Sequence, residues 1–285
     1  MTITYRGAVV RNIKSNYGYD IDASNYIRSV ESADGQTLET GVKDAINTFI
    51  VGCKTDGIWD AIKASCIMAG ARTLDGALVP LVGPEPTNYN FVNGDYNRKL
   101  GLVGDDATKV LDSNRANNAD PKDNNHNAVY MPEQTTTTAT VKFIGSLYTQ
   151  GFTAITRYIN GIVYVYNRYL PDVSAGTYST TLPFLGTSRS SSASFTYRVR
   201  GSTIAVTATS QTPASDNILL KTGVNGRLSF YSIGEALDLA LLDTRVTSLM
   251  AQLAFAINTG LSPVGYSSET INYVNAGYAA GGSLA

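Results

Sequence analysis

The amino-acid sequence predicts a mainly β fold, an antiparallel β-sandwich with helical sections at both ends. From about residue 87 the chain consists of short runs rich in Thr, Tyr and Val, which turn dipeptides separate. Such a pattern is typical of antiparallel sandwiches. Before that point and again near the C-terminus, apolar residues recur every three or four positions, which is the spacing of amphipathic helices.

Helices are predicted in the first third of the chain. Leu38, Val42 and Phe49 recur at helical spacing. A second apolar run, over 57–70, ends at a glycine and is interpreted as a buried helix. A weakly alternating stretch over 3–13 is expected to form an arm or edge strand that docks on a neighbouring molecule.

Three β-hairpins are predicted in the middle of the chain. The clearest turns at Asn160-Gly161, because both central residues of such a turn need positive φ and Asn-Gly takes it at least cost. The other two turn around Gly201-Ser202 and Asn225-Gly226. With a further run over 139–148, they predict about seven strands.

A long helix is predicted over 233–257, with Ser232 as its N-cap and Gly260 just past its end. It is expected to cover the sandwich. The tail after it, from residue 262, has no clear period and is expected to be extended along a partner or disordered. The predicted organisation has four parts. An N-terminal arm (1–35) precedes a helical segment packed on the sandwich (36–86). The sandwich with its C-terminal helix (87–260) and a tail (261–285) follow.

Composition limits the classes of partner. The 285 residues include 22 basic and 23 acidic side chains, and a net charge of -1 gives no general attraction for nucleic acid. The sequence starts without a basic, apolar leader and has no run of about 20 apolar residues. We therefore expect folding in a cytoplasm, with no membrane partner. Cys53 and Cys66 match no metal or redox spacing and are expected to be buried thiols.

Residues for catalysis are scarce, and the sequence predicts no enzyme, metal or cofactor. His126 is the only histidine and has no Gly-x-Ser-x-Gly turn near it, so a Ser-His-Asp site is not expected. No phosphate-binding loop follows Gly101 or Gly104. A polysaccharide hydrolase would need a buried pair of carboxylates, and the acidic pairs of this chain lie in segments rich in Gly and Asn.

One polar stretch, over 112–125, is the candidate ligand site. Its side chains are carboxylates, amides and one guanidinium, which can bind sugar hydroxyls or a cation, although the spacing does not fit a calcium loop. The alternative is a long surface loop that uses Asn and Asp for their tolerance of turns. The candidate ligand-binding residues are Asp112, Asn114, Arg115, Asn117, Asn118 and Asp120.

Several segments form a recognisable set: GCKTDGIWDAIK at 52–63, ARTLDGALVPL at 71–81, NYNFV at 88–92, DYNRKLGL at 95–102 and LDSNR at 111–115. Together with FYSIGEAL at 230–237, they resemble a family of bacteriophage and cyanophage virion proteins. The resemblance implies a concanavalin-like lectin sandwich, or jelly roll, and a location on the virion. It carries no active-site residues.

These observations lead to two hypotheses on function. The first is a phage structural protein, a capsid decoration or a head or tail fibre component, which contacts other virion proteins and forms a homo-oligomer, with a trimer favoured. It would be assembled in the host cytoplasm. The second is a receptor-binding lectin for a host surface glycan, which needs an exposed aromatic side chain and converging Asn and Asp residues.

Overall fold

The computed structural model describes residues 18–134, 140–158, 160–179 and 181–280. The predicted arm over 3–13 lies outside these residues. The described residues form five α-helices: α1 Ile21–Asp34, α2 Thr40–Thr55, α3 Leu74–Leu78, α4 Leu239–Thr259 and α5 Ser268–Ala279. They also form 17 strands: β1 Ile62–Ile67, β2 Pro80–Val82, β3 Thr87–Tyr89, β4 Tyr96–Asn97, β5 Gly101–Val103, β6 Val110–Ala116, β7 Asn125–Tyr130, β8 Val141–Gly145, β9 Thr153–Arg157, β10 Ile162–Asn167, β11 Ser174–Thr177, β12 Phe184–Arg189, β13 Ser194–Val199, β14 Ser202–Thr207, β15 Asn217–Leu220, β16 Arg227–Leu228 and β17 Phe230–Gly234.

Two antiparallel sheets of seven strands make up the sandwich. The first sheet has the strand order β14-β13-β12-β7-β17-β1-β2. The second sheet has the order β11-β10-β9-β8-β15-β6-β3, and β16, β5 and β4 form a small third sheet. With helices near both ends of the chain, this architecture confirms the predicted fold class.

The central strands of the first sheet are buried on both faces. One face meets the second sheet, where Val129 and Tyr231 pack among residues such as Phe143, Ile155 and Leu220. The other face is covered by α1, α2 and α4, so β7, β12 and β17 are buried along nearly their whole length. The molecule therefore has three layers, helices on a sheet on a sheet.

Helix α4 closes the helical layer. It begins after Asp238, whose carboxylate accepts hydrogen bonds from the Ala240 and Leu241 N–H groups, and it ends at Gly260 with φ 72°. Among the described helices, α4 alone has the length and hydropathy of a membrane span. Its residues Leu242 and Val246 are buried in the cluster that joins it to α2, which is typical of a core helix.

Two predicted helices differ in the structure because their residues pair in the first sheet. One is mainly a strand, and the other starts later than predicted. The run over 57–70 forms a short 3-10 turn and then β1, which pairs with β17 on one side and β2 on the other. A short, wholly apolar run has no period that separates a buried strand from a buried helix. The long C-terminal helix starts at Leu239 rather than at residue 233, because 230–234 is β17, between β7 and β1. The predicted helical segment 36–86 thus also supplies part of the first sheet.

Two of the three hairpins are confirmed. β9 and β10 pair around Asn160-Gly161, and β13 pairs with β14. The second turn lies at Arg200-Gly201, with φ values of 51° and 73°, one residue before its predicted position. The third hairpin is wrong: β15 belongs to the second sheet and β17 to the first, with β16 in the small sheet between them.

The C-terminal tail is corrected in part. Residues 268–279 form α5, whose N-cap Ser267 accepts a hydrogen bond from the Thr270 N–H. The tail looked aperiodic because only Ile271 of this helix is buried. The cysteines are as predicted, since Cys53 and Cys66 are unpaired and buried, and burial raises the pKa of each thiol to about 12.

Phe230 tests the contact between the first sheet and the helices. Its ring is fully buried and stands edge-on to Phe49 of α2, with centroids 5.8 Å apart. We expect Phe230→Ala to lower the free energy of unfolding by about 3–5 kcal/mol, because it leaves a cavity between two layers. Val92→Ala, at an exposed position outside the helical layer, should change it by less than about 0.5 kcal/mol. Urea unfolding measures both, and equal losses would contradict the layered core.

Candidate functional site

The candidate ligand residues over 112–120 do not form one site. Asp112, Asn114 and Arg115 lie on β6, which pairs with β15 and β3, so the first part of the predicted loop, 112–116, is a strand. Asp112 and Asn114 face away from the sandwich core, because Leu111 and Ser113 are its buried neighbours. The structure therefore divides the candidates between the outer surface of the second sheet and one end of the sandwich.

The outward residues of β6 form internal hydrogen bonds. The Asp112 carboxylate accepts from the Asn114 N–H at 2.8 Å and from Asn217 Nδ2 at 3.1 Å. Asn114 has φ 52°, and its amide donates to the Glu85 carbonyl oxygen at 2.8 Å. Asn118 is exposed on the turn that follows β6. These side chains brace the strand end and do not converge on a common point.

Arg115, Asn117 and Asp120 belong to a buried polar cluster at one end of the sandwich. Arg115 binds Asp120 with two hydrogen bonds, of 2.9 and 2.5 Å. Asn117 donates to the Gly151 carbonyl oxygen at 3.1 Å and accepts from Arg168 Nη1. Three of the six predicted residues are thus brought together, in a structural network rather than an open site.

Two arginines that sequence reasoning missed lie at the centre of this cluster. Arg168 and Arg189 are almost fully buried. Burial lowers the pKa of Arg168 to about 10, against the opposing effect of Asp120. Arg189 donates to the carbonyl oxygens of Asn167 and Ala208, among others. Arg168 Nε has no hydrogen-bond partner within the described part of the chain.

The cluster joins the loops at this end of the molecule. It connects the β6–β7 turn to the β8–β9 and β10–β11 loops through Asn117, Gly151 and Arg168. Arg189 fixes the loops before β13 and after β14. Buried guanidinium groups are costly unless their donors are bonded, so we assign them to holding these loops in place. No local pattern in the sequence marks Arg168, because its partner Asn117 lies 51 residues away.

A strip of aromatic side chains crosses the outer face of the second sheet. We call it the aromatic strip. Tyr158 and Tyr164 stack edge-on at 4.8 Å between ring centroids. Phe152 contacts Tyr166 at 4.8 Å and Tyr148 at 5.0 Å. Tyr148 is 63% exposed, so the strip ends in an aromatic ring open to solvent. The strip consists of Tyr148, Phe152, Tyr158, Tyr164 and Tyr166.

Charged groups lie beside the aromatic strip. Lys142 Nζ stands 5.0 Å from the centre of the Phe152 ring and donates to the Ser146 carbonyl oxygen. Burial lowers the pKa of Lys142, and Asp216 opposes that shift. The Tyr166 hydroxyl donates to the Asp172 carboxylate at 2.7 Å. This surface combines an aromatic ring with an amine and a carboxylate.

Tyr166 of the aromatic strip and Asp112 of β6 share a face of the second sheet but lie on strands that are far apart. The sheet register aligns Asp112 with Leu219, Gly145, Ala154 and finally Tyr166. Four strand spacings separate the first from the last, which is roughly 19 Å. Asp112 and Tyr166 therefore cannot contact one small ligand together.

His126 is a buried structural residue in the structure. Its Nδ1 lies 2.5 Å from the Glu235 carbonyl oxygen, which can only accept, so Nδ1 donates. Its Nε2 lies 2.7 Å from the Ser232 hydroxyl, which donates to it in the neutral ring. Burial lowers the pKa of His126 to about 4. Within the described ranges, no group of three His, Cys, Asp or Glu residues could hold a metal ion.

The chain was compared with known proteins. No family model and no curated protein sequence matches it. Among solved structures, the Trypanosoma rangeli sialidase with 2,3-difluorosialic acid is 7% identical over 80% of this chain and 38% of its own, with a TM-score of 0.48. Botulinum neurotoxin type C is 10% identical over 67% and 51%, with a TM-score of 0.45. A Streptococcus pneumoniae sialidase is 14% identical over 50% and 26%, with a TM-score of 0.38.

These matches correct one prediction. The sequence predicted that the chain is not an enzyme. That prediction is wrong in excluding enzymes, because the matched structures include sialidases, which are enzymes. The exclusion of enzymes is therefore withdrawn. The likeness is one of fold alone and assigns no activity, ligand or residue to this chain. The chain spans 38% of the T. rangeli enzyme and 51% of the toxin chain.

The buried histidine predicts a pH dependence of stability. The pKa of about 4 in the folded chain lies below the value of about 6.5 for an exposed histidine. The unfolded chain therefore binds the extra proton first, and stability falls as the pH drops from about 6.5 towards 4. From pH 7 to pH 5, we expect a loss of about 2 kcal/mol.

His126→Gln is the matched variant, because the chain has no second histidine. Urea unfolding at pH 7 and pH 5 should show a smaller pH effect for this variant than for the parent chain. An equal effect in both proteins would contradict the assignment of a buried neutral ring.

Proposed function

We propose that this chain is a structural protein of a bacteriophage particle, where it contacts copies of itself and other virion proteins. The proposal starts from the resemblance of the segments around 52–115 and 230–237 to phage virion proteins. The observation in the structure that supports it best is an apolar, nearly uncharged surface at the C-terminal end of the described chain.

This C-terminal surface is formed by the segment after α4 and by α5. Tyr273 is 82% exposed and Val264 65% exposed, and Leu261 and Tyr266 are also open to solvent. After Arg245 the sequence contains a single charged residue, Glu269. Exposed apolar groups that are concentrated in one short segment, as these are within 261–273, are candidates for an interaction surface. We therefore assign the C-terminal surface to subunit contacts.

The C-terminal surface is held in place by the body of the protein. Ile271 of α5 is buried, and Asn275 donates to the Ala251 carbonyl oxygen of α4 at 2.9 Å. The Tyr266 ring contacts Phe255 with centroids 5.1 Å apart. A preformed surface orders little new structure on association, which lowers the entropic cost of an interface. The partner is a second copy of the chain in the predicted homo-oligomer, for which a trimer is favoured.

Paired substitutions test this assignment. We expect Val264→Glu with Tyr273→Glu to break the self-association, because each copy places two charges in an apolar contact. Light scattering of the purified full chain should show a threefold fall in mass for the predicted trimer.

The matched control is Tyr89→Glu with Val92→Glu, which places the same charges at two other exposed positions. Its mass should equal that of the parent chain. A parent chain that is monomeric, or a mass unaffected by the C-terminal substitutions, would contradict the proposed contact.

A second candidate function is the recognition of a host surface glycan by the aromatic strip. The observation in its favour is the exposed ring of Tyr148, next to Leu147, which is 58% exposed. Aromatic faces stack on sugar rings, and the nearby Lys142 and Asp172 could bind sugar hydroxyl groups. In this reading the strip, and not the candidate residues over 112–120, contacts the glycan.

A panel of bacterial surface polysaccharides would test glycan recognition. Binding by the parent chain should weaken by about tenfold or more in Tyr148→Ala, because the exposed stacking surface is lost. Tyr89→Ala, which removes an exposed tyrosine on β3, at the opposite edge of the second sheet from β11, is the control and should bind normally. Absence of binding by the parent chain, or equal binding by both variants, would contradict this function.

A further inference from the structure

Among the strands that the structure describes, β14 forms an open edge of the first sheet. Its sequence, STIAVT, has no charged residue and no proline, and five of its six residues are exposed. It pairs with β13 on its inner side over Ser202 to Thr207 without a register shift. A regular, uncharged edge strand is a ready template for pairing with another strand.

The other edges of the two large sheets lack this combination of length and regularity. β2 and β3 have three residues each, and β2 begins with Pro80. β11 has four residues and shifts register against β10 at Val163/Tyr164. Short strands, proline and irregular pairing are the usual protections of sheet edges. β14 alone among these four edges carries none of them.

The residues that follow β14 in the sequence show which backbone groups of the strand point to β13 and which point to the open edge. Ala208 and Ser210 donate their N–H groups to Ala193 and Ser192, so even-numbered residues face β13. By the alternation of an antiparallel strand, Thr203, Ala205 and Thr207 direct their N–H and C=O groups to the open edge. Three residues are therefore set to form a new ladder.

We propose that β14 pairs in antiparallel fashion with β14 of a second copy of this chain, about a two-fold axis through Ala205. In this register Ala205 faces Ala205 of the second copy, and Thr203 faces its Thr207. Each such pair exchanges two backbone hydrogen bonds, which gives about six across the contact. The first sheets of the two copies then become one continuous sheet.

The side chains of β14 fit this register. Ile204, which is 40% exposed, comes opposite Val206 of the second copy, and the reverse contact repeats across the axis. Within one chain, Ile204 and Val206 already stand beside Tyr197 and Phe195 of β13, which belong to the sandwich core. The pair thus extends an existing apolar surface, as close cross-strand pairs do.

Charges around β14 do not oppose the pair. The nearest basic residue on the turn, Arg200, stands over the Tyr178 ring at 5.2 Å. In the proposed register Arg200 faces Ser210 of the second copy, and the two Arg200 residues lie about ten residue steps apart along the strand direction, roughly 33 Å. Because like charges are kept apart, a second copy is a better occupant of this edge than a charged peptide.

The proposal does not rest on the proposed function. The β14 edge and the C-terminal surface are different parts of the chain, and each can be altered without the other. If both contacts form, the two-fold pair joins the oligomers that the C-terminal surface builds. The two proposals can therefore fail independently. Substitutions at Ala205 test the β14 pair, and substitutions at Val264 and Tyr273 test the C-terminal contact.

Charge substitutions at the axis test the pair. Ala205→Lys places two lysines opposite each other across the axis, and Ala205→Glu does the same with two carboxylates. Each variant alone should show half the mass of the parent chain by light scattering. An equal mixture of the two should regain the parent mass, because lysine then faces glutamate.

Folding is monitored by circular dichroism, and each Ala205 variant should keep the spectrum of the parent chain because the residue is exposed within one chain. Ser202→Lys, at a position facing β13, is the control and should keep the parent mass. The proposal is overturned if neither Ala205 variant has half the mass of the parent chain, or if the mixture of the two variants stays at half that mass. A parent chain that is monomeric at millimolar concentration would also overturn it.

Discussion

The two-sided burial of the first sheet is the constraint on which the rest of the structure depends. β7, β12 and β17 carry apolar or hydrogen-bonded side chains on both faces, one towards the second sheet and one towards α1, α2 and α4. Removing either neighbouring layer would expose a full apolar face. The contact between Phe230 and Phe49 shows how directly the helices complete the sheet. Within the described residues no helix covers the outer face of the second sheet, so this face and the sheet edges are the surfaces left for binding.

The distribution of polar groups follows from this layering. Inside the sandwich the polar residues gather at one end, where Arg168 and Arg189 bind loop carbonyl and amide oxygens. That cluster fixes the loops but presents little open surface. The surfaces that offer unused binding capacity are the aromatic strip, the C-terminal surface and the edge of β14. The C-terminal surface and the edge of β14 are almost free of charge, which agrees with a chain in which only 16% of residues are charged. The proposed self-association through such surfaces would depend little on salt.

The sequence predicted the fold class and the best-marked turns, because alternation and turn dipeptides are local signals. Asn160-Gly161 is one such case, and the helix around Val42 is another. The sequence-based prediction failed where the local structure depends on residues that are far away in the sequence. β1 looks like a helix until β17 and β2 pair with it, and the start of α4 is set by β17 at 230–234. The candidate site failed for the same reason, since Asn117 meets Arg168, 51 residues away, and Asp112 meets Asn217, 105 residues away. The spacing of the residues within 112–120 gives no information about those partners.

Hydrogen–deuterium exchange of the full chain at low and high protein concentration would test the account of assembly most directly. The account predicts that the amides of Thr203, Ala205 and Thr207 and those of α5 exchange more slowly at high concentration, while the loop that carries Tyr148 is unaffected. Slower exchange confined to these two places would locate both subunit contacts in one experiment. Exchange that is independent of concentration throughout the chain would contradict the claim that this protein builds its assemblies through β14 and the C-terminal surface.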